Sequence, residues 1–143
     1  MTSTDVLVAA AAILDDLHRP RALLAARRSA PKTLAGRWEF PGGKVEPGES
    51  DEGALRRELR EELGVEVWLG ERVPGPGGDD WPILYGHRMR VWLAQIDSGE
   101  PRPLADHDAL RWLPVDALEA VPWLAPDLPI VRAIDRRLAG GTD

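Results

Sequence analysis

Glu58, Glu61 and Glu62 lie in a segment, residues 50–63, in which Leu55, Leu59 and Leu63 recur at helical spacing. At about 100° per residue, Glu62 falls roughly 20° from Leu55 on the helical wheel and Glu58 roughly 60° from it. Glu61 lies farther round beside Glu58, and Arg56, Arg57 and Arg60 point toward the other side. Any helix of a small domain buries such a leucine stripe, so the carboxylates crowd the edge of a buried seam. Glu58 and Glu62 stand at i and i+4, where like charges repel, and half-buried carboxylates raise one another's pKa unless a cation supplies the opposite charge. A hard divalent ion with oxygen ligands resolves both conflicts, so the segment calls for magnesium or manganese.

The residues ahead of the helix offer the other half of a phosphate site. Gly42 and Gly43 let backbone approach a ligand closely and expose a carbonyl to a metal, and Lys44 offers a point charge for phosphate. Ser50 is an N-cap, Asp51 and Glu52 fill the first turn where the helix dipole favours anions, and Gly64 follows the last turn.

The elements that must carry this helix follow from alternating apolar runs and turn residues. Residues 6–14 and 21–26 predict an opening hairpin, and residues 37–40 a short strand stopped by Pro41, Gly42 and Gly43. Residues 65–73 and 83–96 predict strands around a Gly/Pro/Asp loop, and residues 110–113 a short strand. Residues 115–121 predict a helical turn or two, and residues 128–138 an amphipathic helix with Leu128, Val131, Ile134 and Leu138 on one face. Residues 140–143 read as a frayed end. Strands mixed with two real helices predict an α/β layered domain.

The 143 residues suffice for one domain, 1–143, with its core over about residues 5–139. The net charge of −6 argues against a nucleic-acid polymer as partner, because such binding depends on Lys and Arg neutralising phosphates, but leaves room for a small anion that brings its own cations. With no cysteine there is no disulfide framework, thiolate zinc site or cysteine nucleophile, which fits a reducing cytoplasm. The apolar run at residues 6–14 is preceded by Thr2, Ser3, Thr4 and Asp5 rather than by basic residues, and it is far shorter than the about 20 residues a membrane span needs. No membrane partner is expected, and monomer and homodimer stay equally open.

Gly43, five residues, Glu49, seven residues, then Arg57-Glu58-Leu59, one residue, Glu61-Glu62, one residue, Gly64-Val65 resembles the Nudix box without a departure, and the preceding Trp38-Glu39-Phe40-Pro41-Gly42 resembles the MutT-type members. The resemblance implies an α/β/α sandwich with a mixed β-sheet and a magnesium-dependent hydrolase of a small-molecule nucleotide. It also implies magnesium as the cofactor, with manganese able to substitute, and site roles: Glu58, Glu61 and Glu62 as metal ligands with the Gly42 carbonyl, Arg57 holding Glu58, Glu49 in a supporting salt bridge, and one carboxylate activating water. Residues 104–112 are similar to the loop and strand that bring a further acidic ligand to the metals, which gives that place to Asp106 and leaves His107 as an ordinary loop histidine.

The same likeness implies hydrolysis of a nucleoside triphosphate to the monophosphate and pyrophosphate. Residues 38–40 are shared by 8-oxo-dGTP diphosphatases and CTP pyrophosphohydrolases, and residues 124–130 are closer to the CTP group. Arg28 and Phe40 match base-pocket positions, and Asp127 stands where the guanine-specific prototype has Asn. An ionised Asp only accepts hydrogen bonds, which suits the cytosine amine and also the N1 or N2 hydrogens of oxidised guanine. Alternatively, Asp127 caps the helix beginning near Leu128. Trp81, Trp92 and Trp123 offer stacking surface. Two other functions compete: a nucleotide-sensing module without turnover, and a hydrolase of another nucleoside diphosphate-linked compound.

Overall fold

The computed structural model describes residues 6–140. β1 (Leu7–Leu14) runs through the centre, parallel to β7 (Arg88–Ser98) along its whole length, from Leu7 opposite Arg88 to Leu14 opposite Gln95. β5 (Glu66–Val73) pairs antiparallel with β7 beyond it, and β6 (Trp81–Pro82) extends β7's start. On the other side β2 (Ala22–Arg28) pairs antiparallel with β8 (His107–Pro114) and, at Ala26 and Arg27, with β3 (Trp38–Glu39).

The expected opening hairpin is joined only at its turn end, where Leu14 faces Leu23 and the Asp15 amide donates to the Ala22 carbonyl at 3.0 Å. Farther along, β1's free edge is taken by β4 (Gly42–Lys44), antiparallel at Val8, Ala9 and Ala10, and by the Ala11 amide donating to the Pro41 carbonyl at 2.9 Å. The glycine pair that reads as loop in the sequence is therefore a strand. Because their Cα hydrogens take almost no space, β4 lies close against its neighbours: a Cβ on Gly42 would fall 2.1 Å from the Ala9 carbonyl oxygen.

Residues 9–14 of β1 are all buried, and their side chains alternate between two cores as strand geometry requires. Ala9, Ala11 and Ile13 share a cluster with Leu55, Leu59 and Leu63 of α1 (Asp51–Leu63). Ala10, Ala12 and Leu14 share the other with Ile130, Val131 and Ile134 of α2 (Leu128–Gly140). A mixed sheet with a helix on each face is the α/β/α sandwich that the sequence implies. Arg90 ties the N-terminal turn of α1 to the sheet, with Nη1 2.8 Å from Asp51 Oδ2 and Nε 2.8 Å from Asp80 Oδ1.

Some boundaries differ from the sequence expectation. The predicted strand at 83–96 starts later, since Leu84–Gly86 form a tight turn and β7 begins at Arg88, while Trp81 and Pro82, expected as loop, form β6. Residues 115–121 form turns closed by the Ala117 and Ala120 amides rather than a helix. Gly140, expected in the frayed end, is the last residue of α2, and residues 1–5 and 141–143, with the rest of that expectation, fall outside the described residues. Among the described residues no helix is long and apolar enough to cross a membrane.

Candidate active site

α1 begins and ends as its sequence dictates. Ser50 Oγ accepts from the Gly53 amide at 3.0 Å, and Gly64 closes the helix at φ 74°, its amide reaching the Leu59 and Arg60 carbonyls. Burial of Leu55, Leu59 and Leu63 fixes the rotation of the helix, which turns Glu58 and Glu62 toward β4. Glu62 Oε1 accepts the Gly42 amide at 3.0 Å. A Cβ on Gly43 would fall 2.2 Å from Glu58 Cδ, so only glycine lets that carboxylate lie against the strand.

Arg57 binds the loop to the helix. Its Nε and Nη2 grip Glu49 at 2.7 and 2.9 Å, Nη1 reaches Glu58 at 2.9 Å and Glu61 at 3.4 Å, and Nη2 donates to the Lys44 carbonyl at 3.2 Å. Hydrogen bonding to Arg57, helped by the Glu46 amide, holds Glu49 down at about 2. Arg57 is raised in turn, chiefly by Glu49. Glu62 behaves oppositely: burial, with the charges of Glu39 and Glu58, pushes it up to about 7 against the His107 field and the Gly42 amide.

Among the described residues, no three acidic or histidine side chains form a ready-made metal cage. Glu58 and Glu61 face Arg57, and Glu62 faces Gly42. The residues nevertheless fit a hard divalent ion. The donors are all oxygen, the half-buried Glu62 carboxyl has no cationic hydrogen-bond partner among the described residues, and Glu61, 57% exposed, meets Arg57 only at 3.4 Å. Asp106 lies in the turn before β8 with its carboxylate 69% exposed, 4.0 Å from Arg28 Nη2.

Beside β4 opens a cavity of about 300 Å³. Gly42, Gly43 and Lys44 line it on the side of the carboxylate helix, and Phe40, Leu124 and Asp127 contribute another part of its wall. Phe40 is both pocket and core, 2% exposed and backed by Trp123 with ring centroids 5.0 Å apart. Asp127 is 3% exposed and accepts the Phe40 amide through Oδ2 at 3.2 Å. Burial, then the charge of Glu39, pushes its carboxyl up to about 7 despite that amide. The capping alternative does not hold. A 3₁₀ turn, Ala125–Asp127, runs straight into α2, so Asp127 is inside the helical run, and the cap position belongs to Leu124.

Arg28 also lines the cavity, but its strong contact is Glu39, Nη1 to Oε2 at 2.8 Å. The same Glu39 oxygen meets His107 Nε2 at 2.8 Å. His107, expected to be an ordinary loop histidine, is instead a wholly buried partner of this network. Burial opposes its charge, the Glu39 hydrogen bond and the fields of Glu62 and Glu39 favour it, and the balance lies above the ordinary histidine value. Its Nδ1 is buried without a partner among the described residues. Glu39 and His107 stand 68 residues apart, so nothing local in the sequence signals the pair.

The tryptophan expectation is corrected. Trp81, Trp92 and Trp123 are all core residues and none lines the cavity; the indole N–H groups of Trp81 and Trp123 are committed to the Val73 and Leu118 carbonyls. The aromatic side chain exposed at the cavity is instead Tyr85, from the turn between β6 and β7.

The NUDIX domain model matches residues 5–134. The chain is 42% identical over 121 residues to the Mycobacterium tuberculosis protein named "Putative 8-oxo-dGTP diphosphatase 2", covering 82% of each chain. It is 40% identical over 119 residues to the CTP pyrophosphohydrolase of Escherichia coli, covering 82% of this chain and 84% of that one. The solution structure of the E. coli ORF135 protein superposes with a TM-score of 0.72 at 36% identity, over 96% of this chain and 94% of the other. Box, carboxylate helix and sandwich thus agree with relatives matched over most of their length, and the chain belongs to the Nudix hydrolase family.

Proposed function

We propose that this enzyme is a magnesium-dependent nucleoside triphosphate pyrophosphohydrolase acting on (d)CTP-type or oxidised dGTP substrates. The observation that carries the reading is the Asp127 carboxyl, buried in the wall of a base-sized cavity that also meets the glycine strand beside the α1 carboxylates. The relatives support the reaction class: one is named for 8-oxo-dGTP, the other for CTP.

Each group has a task. Asp127 meets the polar edge of the base, and Phe40 supplies an apolar face. Lys44 attracts phosphate, and Arg28, anchored on Glu39, adds positive charge at the cavity wall. Glu58, Glu61 and Glu62, with Gly42, would hold the divalent cation, and Asp106, from the turn before β8, would serve as a further acidic ligand. Bound there, that cation neutralises phosphate charge and lowers the pKa of an attacking water. Arg57 orients Glu58 while Glu49 orients Arg57, and one of the helix carboxylates takes the water's proton. No covalent nucleophile is needed.

The test is product analysis on CTP, dCTP, 5-methyl-dCTP, dGTP and 8-oxo-dGTP with Mg²⁺. Pyrophosphate and a nucleoside monophosphate are the expected products. Absence of turnover across the panel would leave a sensor, and cleavage confined to other diphosphate-linked nucleosides would move the substrate class.

A further inference from the structure

The turn between β6 and β7 is built against local preference. The His87 amide donates to the Leu84 carbonyl at 3.1 Å, closing a four-residue turn, and both central residues are left-handed: Tyr85 at φ 64°, ψ 22° and Gly86 at φ 73°. A turn of this mirror-image kind favours Asn, Asp or Gly at both centres, because a side chain beyond Cβ crowds the backbone there. Gly86 suits it. Tyr85 does not, since a bulky residue at positive φ is strained.

Packing does not repay that strain. The Tyr85 ring is 78% exposed, and its ring contact is an edge-on approach to His87 at 5.8 Å between centroids. What the position does provide is a place in the cavity wall, shared with Leu84 and His87, in the same cavity as Phe40 and Asp127. Strained residues kept by a fold concentrate at functional sites.

We propose that Tyr85 is a specificity-determining residue whose ring stacks on the nucleobase while Asp127 holds the base edge. The inference rests on the nucleotide reading above and adds the aromatic face that the buried tryptophans do not supply. Stacking tolerates any base but strengthens with ring area, so a bicyclic base gains more than a monocyclic one.

The test compares Tyr85→Asn and Tyr85→Phe with the parent. Asn relieves the turn, so its melting temperature should equal or exceed the parent's while KM for the preferred nucleotide rises about tenfold, with kcat changed less than about threefold. The loss should be larger for 8-oxo-dGTP than for CTP, Phe should restore KM, and inhibition by inorganic tripolyphosphate, which has no base, should not change. Parental KM in Tyr85→Asn overturns the inference while leaving the function intact. Equal weakening of tripolyphosphate and nucleotide also overturns it, because the ring would then be acting on phosphate binding. A parent enzyme that turns over no nucleotide in the panel overturns the functional reading instead, and the inference with it.

Discussion

Arg57 and Glu49 form a two-pronged pair, Nε to Oε2 at 2.7 Å and Nη2 to Oε1 at 2.9 Å, while the same guanidinium holds Glu58 and the Lys44 carbonyl. With the longer bond to Glu61, five hydrogen bonds leave one planar group and need its fork, which lysine lacks.

Arg57→Lys should therefore keep the charge and lose the alignment. Turnover is expected to fall by about a hundredfold, the scale of a small misplacement at a catalytic centre, with KM nearly unchanged. Glu49→Gln should fall less, since Gln can still accept from Arg57. Steady-state kinetics on both variants checks the order; Arg57→Lys with parental turnover would remove Arg57 from its positioning role.

Glu62→Gln separates activity from stability. Gln can still accept the Gly42 amide but brings no ligand charge, so turnover at ordinary Mg²⁺ should drop at least about a hundredfold. Glu61→Gln should lose activity too, with little change in melting because its side chain is exposed. Turnover within about threefold of the parent in both variants would sink the ligand assignment.

Asp127→Asn is the pH test. The folded-state pKa of about 7 lies above the ordinary carboxyl value of 3.8. Its contribution to stability is therefore complete below pH 3.8 and is lost as pH rises through 7. The Asn variant escapes that loss. Its melting temperature should gain on the parent's between about pH 4 and 7, with an upper limit of about 4 kcal/mol above that window. Substrate ranking should shift in Asn, whereas Asp127→Ala should lower kcat/KM for the preferred nucleotide by roughly ten- to a hundredfold. Melting curves that stay parallel from pH 4 to 8, together with equal proportional losses for CTP and 8-oxo-dGTP, would reject the buried recognition role.

Two neighbouring glycines should fail differently. Gly43→Ala places its Cβ against the Glu58 side chain, 2.2 Å from Cδ, and that chain can move aside, so activity should fall much further than stability. Gly42→Ala meets backbone, 2.1 Å from the Ala9 oxygen, and should unfold the sheet edge. Thermal melting beside kcat for each variant checks this; equal melting temperatures would contradict the packing.

How much of the molecule is legible in its sequence depends on distance along the chain. Ser50, the leucine stripe, Glu58 to Glu62 and Gly64 form one contiguous helix, so period and capping suffice to place them. Glu39 with His107, and β1 alongside β7, depend on residues tens of positions apart whose meeting leaves no local mark. The turn at Tyr85 is hidden for another reason: Ile83, Leu84 and Tyr85 read as strand formers, and the turn's own preferred residue occurs only at Gly86. The tryptophans mislead because an aromatic ring fits a core as well as a ligand, and only burial tells the two apart.

Strand β1 divides the molecule in a way that can be used in engineering. Its odd-numbered residues from 9 to 13 share a core with the leucines of α1, and its even-numbered ones from 10 to 14 belong to the core shared with Phe40 and Trp123. A methyl group added at the fully buried Ala10 or Ala12 therefore crowds the core that holds Phe40 and Trp123, and one at Ala9 or Ala11 crowds the core beneath α1. Alternate positions of one strand thus let the packing under each helix be altered separately.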